Sequence, residues 1–475
     1  MLDTTLFSAA GKAIEEAAVR KFEASLLGDI ILPGSERYEQ ARQHWIGITD
    51  PRRPGVIVRC ARTADVVRCI DFSRGNELAI AVRAGGHSAA GDSFCDGGMV
   101  IDLSGMKAIE IDPLRRVARG DAGLTVGEFD RATERFDLAA VLGECSSVGI
   151  AGYTLGGGLG RLMGKHGAAC DNLTSVELVT ADGKVVRASS NENGDLFWGV
   201  RGGGGNFGIV TSFEYQIHPM REVLGGVLRY PIADIREVLS FLDDYMMNVP
   251  DEFDLAVDIG NSGVMTFAPG VTEAIVNLAV SYCGDLAAGE KALKPLRSFG
   301  HPLADTIRAM PYIQMQALSD IRPLAELGSS GVPMVIESGF IERLGEEEIN
   351  IIVASLAEAP SCFWITAEHY LHGAICRLAP DRTAFCLRRS GYTTRIFAAA
   401  REPSETDESL AWVQRLRATL EPFSGGALYV NYLTEGAGQA GVKIGYGSNY
   451  ERLVALKRKY DPTNFFHSNR NISPV

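Results

Sequence analysis

Long apolar segments are missing from the start of this sequence. Charged side chains interrupt residues 1–27, so neither a signal peptide nor a membrane span can be read there. Their spacing predicts an amphipathic surface helix and no membrane partner. The interrupting residues are Asp3, Lys12, Glu15, Glu16, Arg20, Lys21 and Glu23.

Paired cysteines are missing too, although cysteine itself is present. The nine cysteines are odd in number and scattered, and no two of them form a C-x-x-C pair. This pattern argues against a disulfide framework and against a zinc site. We therefore expect a reducing compartment, hence a cytoplasmic protein, and no bound metal.

An excess of positive charge is also absent. The chain has 46 Lys and Arg against 59 Asp and Glu, a formal net charge of −13. Binding to a phosphate backbone needs clustered positive charge, so we expect no nucleic-acid partner. With 475 residues, of which 46% are hydrophobic, the chain is globular and long enough for two or three domains.

The glycine content and the predicted secondary structure change twice along the chain. From residue 55 to 219, short β-branched runs alternate with helical patterns and dense glycine. Residues 219–425 contain longer strands and amphipathic helices, which predicts an antiparallel sheet backed by helices. A last segment, 426–475, has a predicted strand at Ala427–Tyr432 and a helix at Tyr450–Tyr460. The fold class is therefore α+β.

The first chemical motif is a loop directly after a predicted strand, with the sequence Arg83-Ala84-Gly85-Gly86-His87-Ser88. Such a loop can lay backbone N–H groups against a pyrophosphate while His87 points at a reactive group. Taken alone, a histidine after two glycines equally well forms a hydrogen bond within a turn.

The second motif is the glycine-rich run from Gly143 to Gly160. Glycine at this density predicts backbone pressed against a flat or charged ligand, with no side-chain core around it. By itself Cys145 is more typical of a small buried hydrophobe than of a nucleophile. A loop rich in N–H donors would nevertheless favour its thiolate.

The third motif, Gly203-x-Gly205-x-x-Gly208, formally matches the dinucleotide-binding fingerprint. That fingerprint must open a helix, whereas a β-branched run, 209–215, follows here. A nicotinamide-dependent dehydrogenase is therefore a poor alternative.

These motifs, together with the C-terminal Tyr429-Val430-Asn431-Tyr432 and Asn471-Ile472, resemble berberine bridge enzyme-like proteins of the vanillyl-alcohol oxidase (PCMH-type FAD-binding) superfamily. The likeness is strong over 40–220 and 425–475 and weak between them. It implies a two-domain flavoprotein. A discontinuous FAD-binding domain would comprise 1–218, with its PCMH-type part at about 50–218, and a berberine-bridge-type segment, 426–475. The substrate domain would be 219–425.

The resemblance also implies a covalently bound FAD. In that family the histidine bonds to the 8α-methyl of the flavin, and in a bicovalent subgroup the cysteine bonds to C6. These roles would fall to His87 and Cys145, and many relatives have only the histidine link. Further flavin contacts would come from Arg83, Ala84, Gly85, Gly86, Ser88, Val148, Gly149, Gly152, Gly156, Gly157, Asn206, Gly208, Ile209, Val210 and Asn431.

Val148 would occupy the position that controls oxygen access to the flavin. In the resembling family a small valine marks oxidases and a bulkier isoleucine marks dehydrogenases. Without that likeness, Val148 is an ordinary apolar residue between glycines. The valine favours O2 as the electron acceptor.

Catalysis would require a base within hydrogen-bond reach of the substrate heteroatom. By resemblance we assign this role to Tyr429, with Tyr432 second, although both tyrosines could simply pack a strand. Their reference pKa lies near ~10, so a neighbouring charge or the flavin must lower it.

Substrate contacts are expected from the predicted strand 363–370, on which Trp364, Thr366, Glu368 and Tyr370 share one face. Glu368 would orient the substrate or act as an auxiliary base; the alternative is pairing with Arg388 or Arg395. His166 replaces the tyrosine of the family's K-Y-G and is a further substrate candidate.

The resulting hypothesis is an FAD-dependent oxidase. It takes a hydride from a C–H beside oxygen or nitrogen of a small molecule and passes electrons to O2, giving H2O2. Substrate candidates are oligosaccharides, glycosylated natural products and cyclic amines of the hydroxynicotine type. Alternatives are a dehydrogenase with another acceptor and a non-catalytic flavin carrier. Oligomeric state stays open.

Overall fold

Three main β-sheets organise the described part of the chain, and α-helices join or cover them. The computed structural model describes residues 6–8, 11–44, 51–88, 90–261, 273–320, 334–360, 363–399 and 403–475. Numbered in chain order, the α-helices are α1 (Glu16–Glu23), α2 (Tyr38–Ala41), α3 (Thr63–Gly75), α4 (Val126–Glu134), α5 (Ile150–Leu155), α6 (Met163–His166), α7 (Gly194–Val200), α8 (Ile235–Met246), α9 (Leu286–Arg297), α10 (Tyr312–Ala317), α11 (Glu346–Leu356), α12 (Ala374–Arg377), α13 (Thr406–Leu420), α14 (Gly438–Tyr446) and α15 (Tyr450–Tyr460).

The first sheet has four strands in the order β1-β2-β4-β3. Strands β2, β4 and β3 run parallel, and the crossover helix α3 packs its Val66 and Ile70 into the core. Strand β3 ends at Arg83, so the His87 loop leaves from the end of a buried strand. The strands are β1 (Asp29–Ile31), β2 (Val56–Arg59), β3 (Ile80–Arg83) and β4 (Met99–Asp102).

The second sheet has five antiparallel strands in the order β5-β6-β10-β8-β9. Strand β10 directly follows the third glycine motif, which confirms that this motif does not open a helix. The strands are β5 (Ile109–Asp112), β6 (Val117–Asp121), β8 (Leu173–Val179), β9 (Val185–Ser189) and β10 (Ile209–Gln216); β7 (Leu138–Ala139) and β11 (His218–Pro219) form a separate pair.

The third sheet is antiparallel and has the strand order β15-β12-β14-β13-β18-β19-β17, with β16 beside β12. Helices α8, α9, α11 and α13 contribute to the apolar core on one face of it. The strands are β12 (Glu222–Pro231), β13 (Phe253–Gly260), β14 (Ile275–Tyr282), β15 (Ala304–Asp305), β16 (Arg308–Pro311), β17 (Met334–Ile341), β18 (Phe363–Leu371) and β19 (Gly391–Ala399).

The end of the chain returns to the first half of the molecule. Val430, Tyr446 and Leu453 belong to the same apolar core as Val58 and Phe213. The α+β class and the two-domain organisation are therefore confirmed, whereas the precise boundaries at 218 and 425 stay predictions. Among the described residues, no helix combines the length and apolarity needed to cross a bilayer.

Two local expectations are wrong. Ala427–Tyr432 is no strand, because Val430–Tyr432 forms a 3-10 turn in which the Tyr432 N–H donates to the Tyr429 carbonyl at 3.0 Å. The run Gly143–Gly160 does build core, because helix α5 buries Ile150 and Leu155. The amphipathic surface helix expected near the start is present as α1, of which only Phe22 is buried.

Candidate functional site

A cavity of about 370 Å³ lies between the glycine loops of the first half and the third sheet. This volume falls within the range of small-molecule and cofactor pockets. Its walls come from stretches of sequence that are far apart along the chain. They include residues 84–88 and 429–432 and parts of 143–159 and 204–210, together with side chains of strands β13, β17, β18 and β19.

The first two glycine motifs meet backbone to backbone. A Cβ added to Gly85 would lie 2.3 Å from the amide nitrogen of Gly149, and one added to Gly149 would lie 2.4 Å from that of Gly85. Real Cβ atoms do not approach backbone this closely, so only glycine fits at either position. This contact brings the loops that hold His87 and Cys145 to one edge of the cavity.

His87 and Cys145 share one hydroxyl group. The Nε2 of His87 lies 3.0 Å from the Oγ of Ser147, and that Oγ lies 3.3 Å from the Sγ of Cys145. Burial lowers the pKa of His87 to about 3, so its imidazole is neutral at physiological pH. A neutral imidazole keeps a nitrogen lone pair, as a nucleophile requires.

The turn that carries Cys145 is held from several sides. The Val148 N–H donates to the Cys145 carbonyl at 3.1 Å, which closes the turn. The Ser146 N–H donates to Oδ1 of Asp320 at 2.6 Å, and the Val126 N–H donates to the Val148 carbonyl at 2.8 Å. The thiol is therefore presented on an anchored loop.

The cavity walls fit FAD. An added Cβ at Gly152 or Gly205 would meet no protein atom within 4 Å, and both glycines line the cavity. Bare backbone of this kind leaves room for a flat ring or a pyrophosphate. Ala84, Gly86, Ser88, Gly208, Ile209 and Val210 line the same cavity, and their contacts with the flavin stay predictions.

The C-terminal segment supplies wall residues that sequence reasoning missed. Ser468, Asn469 and Arg470 line the cavity, and Arg470 pairs with the carboxylate of Asp92. The Nε of Arg470 also donates to the Val430 carbonyl at 3.3 Å. The available signal was a charged residue, Arg470, directly before the Asn471-Ile472 motif.

Tyr429 and Tyr432 lie together at the cavity wall, with their rings edge to face at 4.8 Å. The Tyr429 oxygen accepts from the Gly158 N–H at 3.0 Å and from Nδ2 of Asn431 at 2.9 Å. Burial raises the pKa of Tyr429 above its ordinary value, and these two donors oppose the increase.

Tyr432 has a different electrostatic environment. Its pKa is also raised by burial, while the Arg395 guanidinium, 4.7 Å from its ring centre, opposes that increase. These contacts offset burial only in part, because the pKa of both tyrosines stays above its ordinary value, so the lowering expected of a base would have to come from the bound flavin. The geometry alone leaves both available as a base.

Strand β18 lies between β13 and β19 in the third sheet, one face of which borders the cavity. Its register pairs Trp364 with Phe397, Thr366 with Arg395 and Glu368 with Thr393. Arg395 and Phe397 line the cavity. The side chains of Trp364, Thr366 and Glu368 themselves lie outside the described part of the structure, so their proposed roles stay predictions.

A β-bulge near the end of β18 overturns the expectation for Tyr370. The register shifts between Glu368 and Tyr370, and His369 adopts a left-handed backbone with a φ of 47°. His369 therefore lines the cavity, whereas the Tyr370 ring packs 4.9 Å from Tyr392 in the core beneath the helices. The extra residue of a bulge reverses which face the following side chain takes.

His369 belongs to a buried cluster that the sequence did not reveal. Its Nδ1 lies 2.9 Å from Oδ1 of Asp254 and its Nε2 3.1 Å from Oε1 of Glu144. Arg161 pairs with both carboxylates, at 3.1 Å to Asp254. Although burial opposes it, the two carboxylates raise the pKa of His369 to about 10. We call these four residues the buried tetrad; its charges balance when His369 is protonated.

Several predicted site residues lie away from the cavity. Arg83 donates to the carbonyls of Ala41 and Gln43 at 3.2 and 3.1 Å. His166 stacks on His218 with ring centres 3.7 Å apart. Neither position fits the flavin or substrate contact expected of it, because these side chains are engaged elsewhere.

Asn206, Gly156 and Gly157 support the site instead of lining it. Asn206 donates to the carbonyls of Gly203 and Arg470 at 2.9 and 3.1 Å. A Cβ at Gly156 would collide with the Asn431 side chain, and one at Gly157 with the Phe385 ring. The structure also pairs Arg388 with Asp171, with Nη1 2.6 Å from Oδ2, which removes it as the expected partner of Glu368.

Comparison with known proteins agrees with this geometry. Residues 54–189 match the family model described as FAD binding domain, and residues 428–473 match the one described as Berberine and berberine like. An FAD-linked oxidoreductase of Dictyostelium discoideum is 32% identical over 464 residues, which cover 96% of this chain and 97% of that protein.

Two further relatives are named as oxidases. The (R)-6-hydroxynicotine oxidase of Paenarthrobacter nicotinovorans is 32% identical over 468 residues, and the alignment covers 95% of this chain and 97% of that protein. A crystal structure of 6-hydroxy-D-nicotine oxidase from Arthrobacter nicotinovorans superposes with a TM-score of 0.85 at 29% identity, covering 95% of this chain and 99% of that one. The chain is therefore an FAD-dependent oxidoreductase and belongs to the berberine bridge enzyme-like family.

Proposed function

We propose that this protein is an oxidase whose FAD is bonded to both His87 and Cys145. One observation carries the proposal: an imidazole and a thiol, distant in sequence, share the Ser147 hydroxyl at one edge of a glycine-lined cavity. Each side chain taken alone has an ordinary structural explanation. Two nucleophiles brought to one edge of the cavity in a family of FAD-linked enzymes favour double attachment.

When bound, FAD supplies the hydride acceptor. The glycine loops would hold it, with Gly152 and Gly205 leaving space for it. Tyr429 is the proposed base, taking the proton from the substrate heteroatom at its phenolic oxygen. To act as a base Tyr429 must start as a phenolate, which the Gly158 N–H and the Asn431 amide would stabilise because both donate to that oxygen, and it ends the step as the neutral phenol.

The proposed substrate is a small molecule with a C–H beside oxygen or nitrogen. A cyclic amine of the hydroxynicotine type is favoured by the 32% identical relative of that activity. The net charge of −13 also favours neutral or cationic substrates. A carbohydrate alcohol group is the second candidate, which the pair of tyrosines at the cavity wall supports. Glu368 is proposed to orient either substrate from strand β18.

The attachment is tested by acid precipitation of the purified protein. We expect the yellow colour to stay with the precipitate, and proteolysis to yield one flavin joined to the His87 and Cys145 peptides. H87A and C145A, each tested alone, should leave the flavin on the other peptide. Release of all colour to the supernatant would refute covalent attachment.

Electron transfer is tested by mixing the protein with cyclic amines and oligosaccharides without oxygen. A true substrate bleaches the flavin absorption, and admitting air should restore it with one H2O2 per substrate oxidised. Bleaching without peroxide under air would instead indicate a dehydrogenase that uses another acceptor. No bleaching with any donor of these classes would favour the flavin carrier.

A further inference from the structure

Ser147 lies in the second glycine motif, two residues after Cys145, and its side chain contacts both proposed anchors. Its hydroxyl lies 3.0 Å from Nε2 of His87 and 3.3 Å from Sγ of Cys145. The closed turn between the Cys145 carbonyl and the Val148 N–H fixes the separation of Cys145 and Ser147. This arrangement places one hydroxyl between a thiol and an imidazole.

A hydroxyl in this position can pass a proton along. It has one hydrogen to donate and lone pairs to accept another, so it can take a proton from sulfur while giving its own to nitrogen. Burial lowers the pKa of His87 to about 3, so its neutral imidazole can hold the relayed proton only transiently and returns it readily. A thiol must lose its proton before sulfur acts as a nucleophile, because the thiolate is the reactive form.

We propose that Ser147 is a positioning residue for flavin attachment, relaying the Cys145 thiol proton to His87 while the sulfur bonds to C6. The inference rests on the proposed double attachment. Overall, the S–H and C6–H bonds break and one S–C6 bond forms. The two hydrogens and two electrons reduce dioxygen to H2O2, and His87 returns the relayed proton.

The test compares S147A with S147T, which keeps a hydroxyl, and with S146A, which removes the neighbouring one. Each full chain is synthesised in a cell-free reaction with FAD and denatured at intervals. Peptide masses then report flavin on the His87 and Cys145 peptides. We expect S147A to form the sulfur bond at least about tenfold more slowly, since positioned proton transfer typically contributes about 10²–10⁴-fold.

Further readouts separate a relay from a merely structural role. The His87 bond should still form in S147A, which shows that the chain folds and binds FAD. Higher pH should restore the S147A rate, because solvent then removes the thiol proton near its ordinary pKa of about 8.5. S147T and S146A should behave as the wild type.

The inference is overturned if S147A matches the wild type, if S147T is as slow as S147A, or if pH does not restore the rate. A wild type with flavin on the His87 peptide alone also overturns it, together with the sulfur half of the proposed function. A wild type with no covalent flavin refutes the proposed attachment itself. Failure of this inference alone is therefore distinguishable from failure of the proposed function.

Discussion

At the scale of single residues, the two cavity tyrosines differ in what stabilises their phenolates. Tyr429 accepts two hydrogen bonds, whereas Tyr432 relies on Arg395. We predict that Y429F lowers kcat by about 10²-fold or more, since it removes the proposed base, and that Y432F costs much less. Anaerobic flavin reduction rates measure this. The reverse ranking would transfer the role of base to Tyr432.

Val148 offers a second prediction at this scale. It lines the cavity within the Cys145 turn, where a longer side chain would narrow access. We predict that V148I slows flavin reoxidation by O2 at least about tenfold, about 1.4 kcal/mol in barrier, and leaves anaerobic reduction unchanged. Stopped-flow measurement of both half-reactions checks this. V148A, which opens the position, should reoxidise no more slowly than the wild type.

At the scale of elements, helix α15 is anchored by a buried ion pair. The Nζ of Lys457 lies 2.7 Å from Oδ2 of Asp461 and donates to the carbonyls of Asn206 and Phe466. K457M would leave the Asp461 carboxylate buried without its counter-charge, with only the Phe465 and Phe466 N–H groups and the Thr463 hydroxyl donating to it. We predict a loss of about 3–5 kcal/mol in the free energy of unfolding, measured in urea.

A control for this prediction lies on the same helix. Lys459 is exposed and pairs with Asp195 at the surface, at 2.6 Å. K459M should therefore change the free energy of unfolding by less than about 1 kcal/mol. Similar losses in K457M and K459M would show that the buried pair has no special part in anchoring α15.

At the scale of the whole molecule, the buried tetrad links the two domains. Glu144 and Arg161 come from the glycine-rich first half, and Asp254 and His369 from the third sheet. The folded pKa of His369, about 10, lies above its ordinary value of 6.5. Its stabilisation is thus fully present below about pH 6.5 and is lost as pH rises towards 10.

We predict that H369Q is less stable than the wild type at pH 7 and shows a smaller fall in stability between about pH 6.5 and 10. Urea unfolding across that range measures the difference. H166Q serves as the control, because burial and neighbouring positive charge lower the pKa of His166 to about 4, outside the window. An unchanged pH slope in H369Q would contradict the charge assignment of the tetrad.

Much of the architecture was predictable because local patterns express it directly. The strand after Gly208 follows from its β-branched run, and the chemical candidates His87 and Cys145 stand out among glycines. The sheet face on which Tyr370 lies was not predictable. A single bulge at His369 reverses the alternation of side chains between the two faces, and no local sequence pattern indicates that bulge. The 3-10 turn at Val430–Tyr432 was not predictable either, because the residues that form it have a strand-like sequence pattern.

The sequence by itself determined the α+β class, the family and the motifs expected to face FAD, because glycine spacing and strand periodicity are local properties of the chain. Only the tertiary structure decided which residues meet. It joined Ser147 to both His87 and Cys145, assembled the buried tetrad and moved Arg83 and His166 out of the site. Such contacts depend on loop closure and burial between distant segments, which no local pattern encodes.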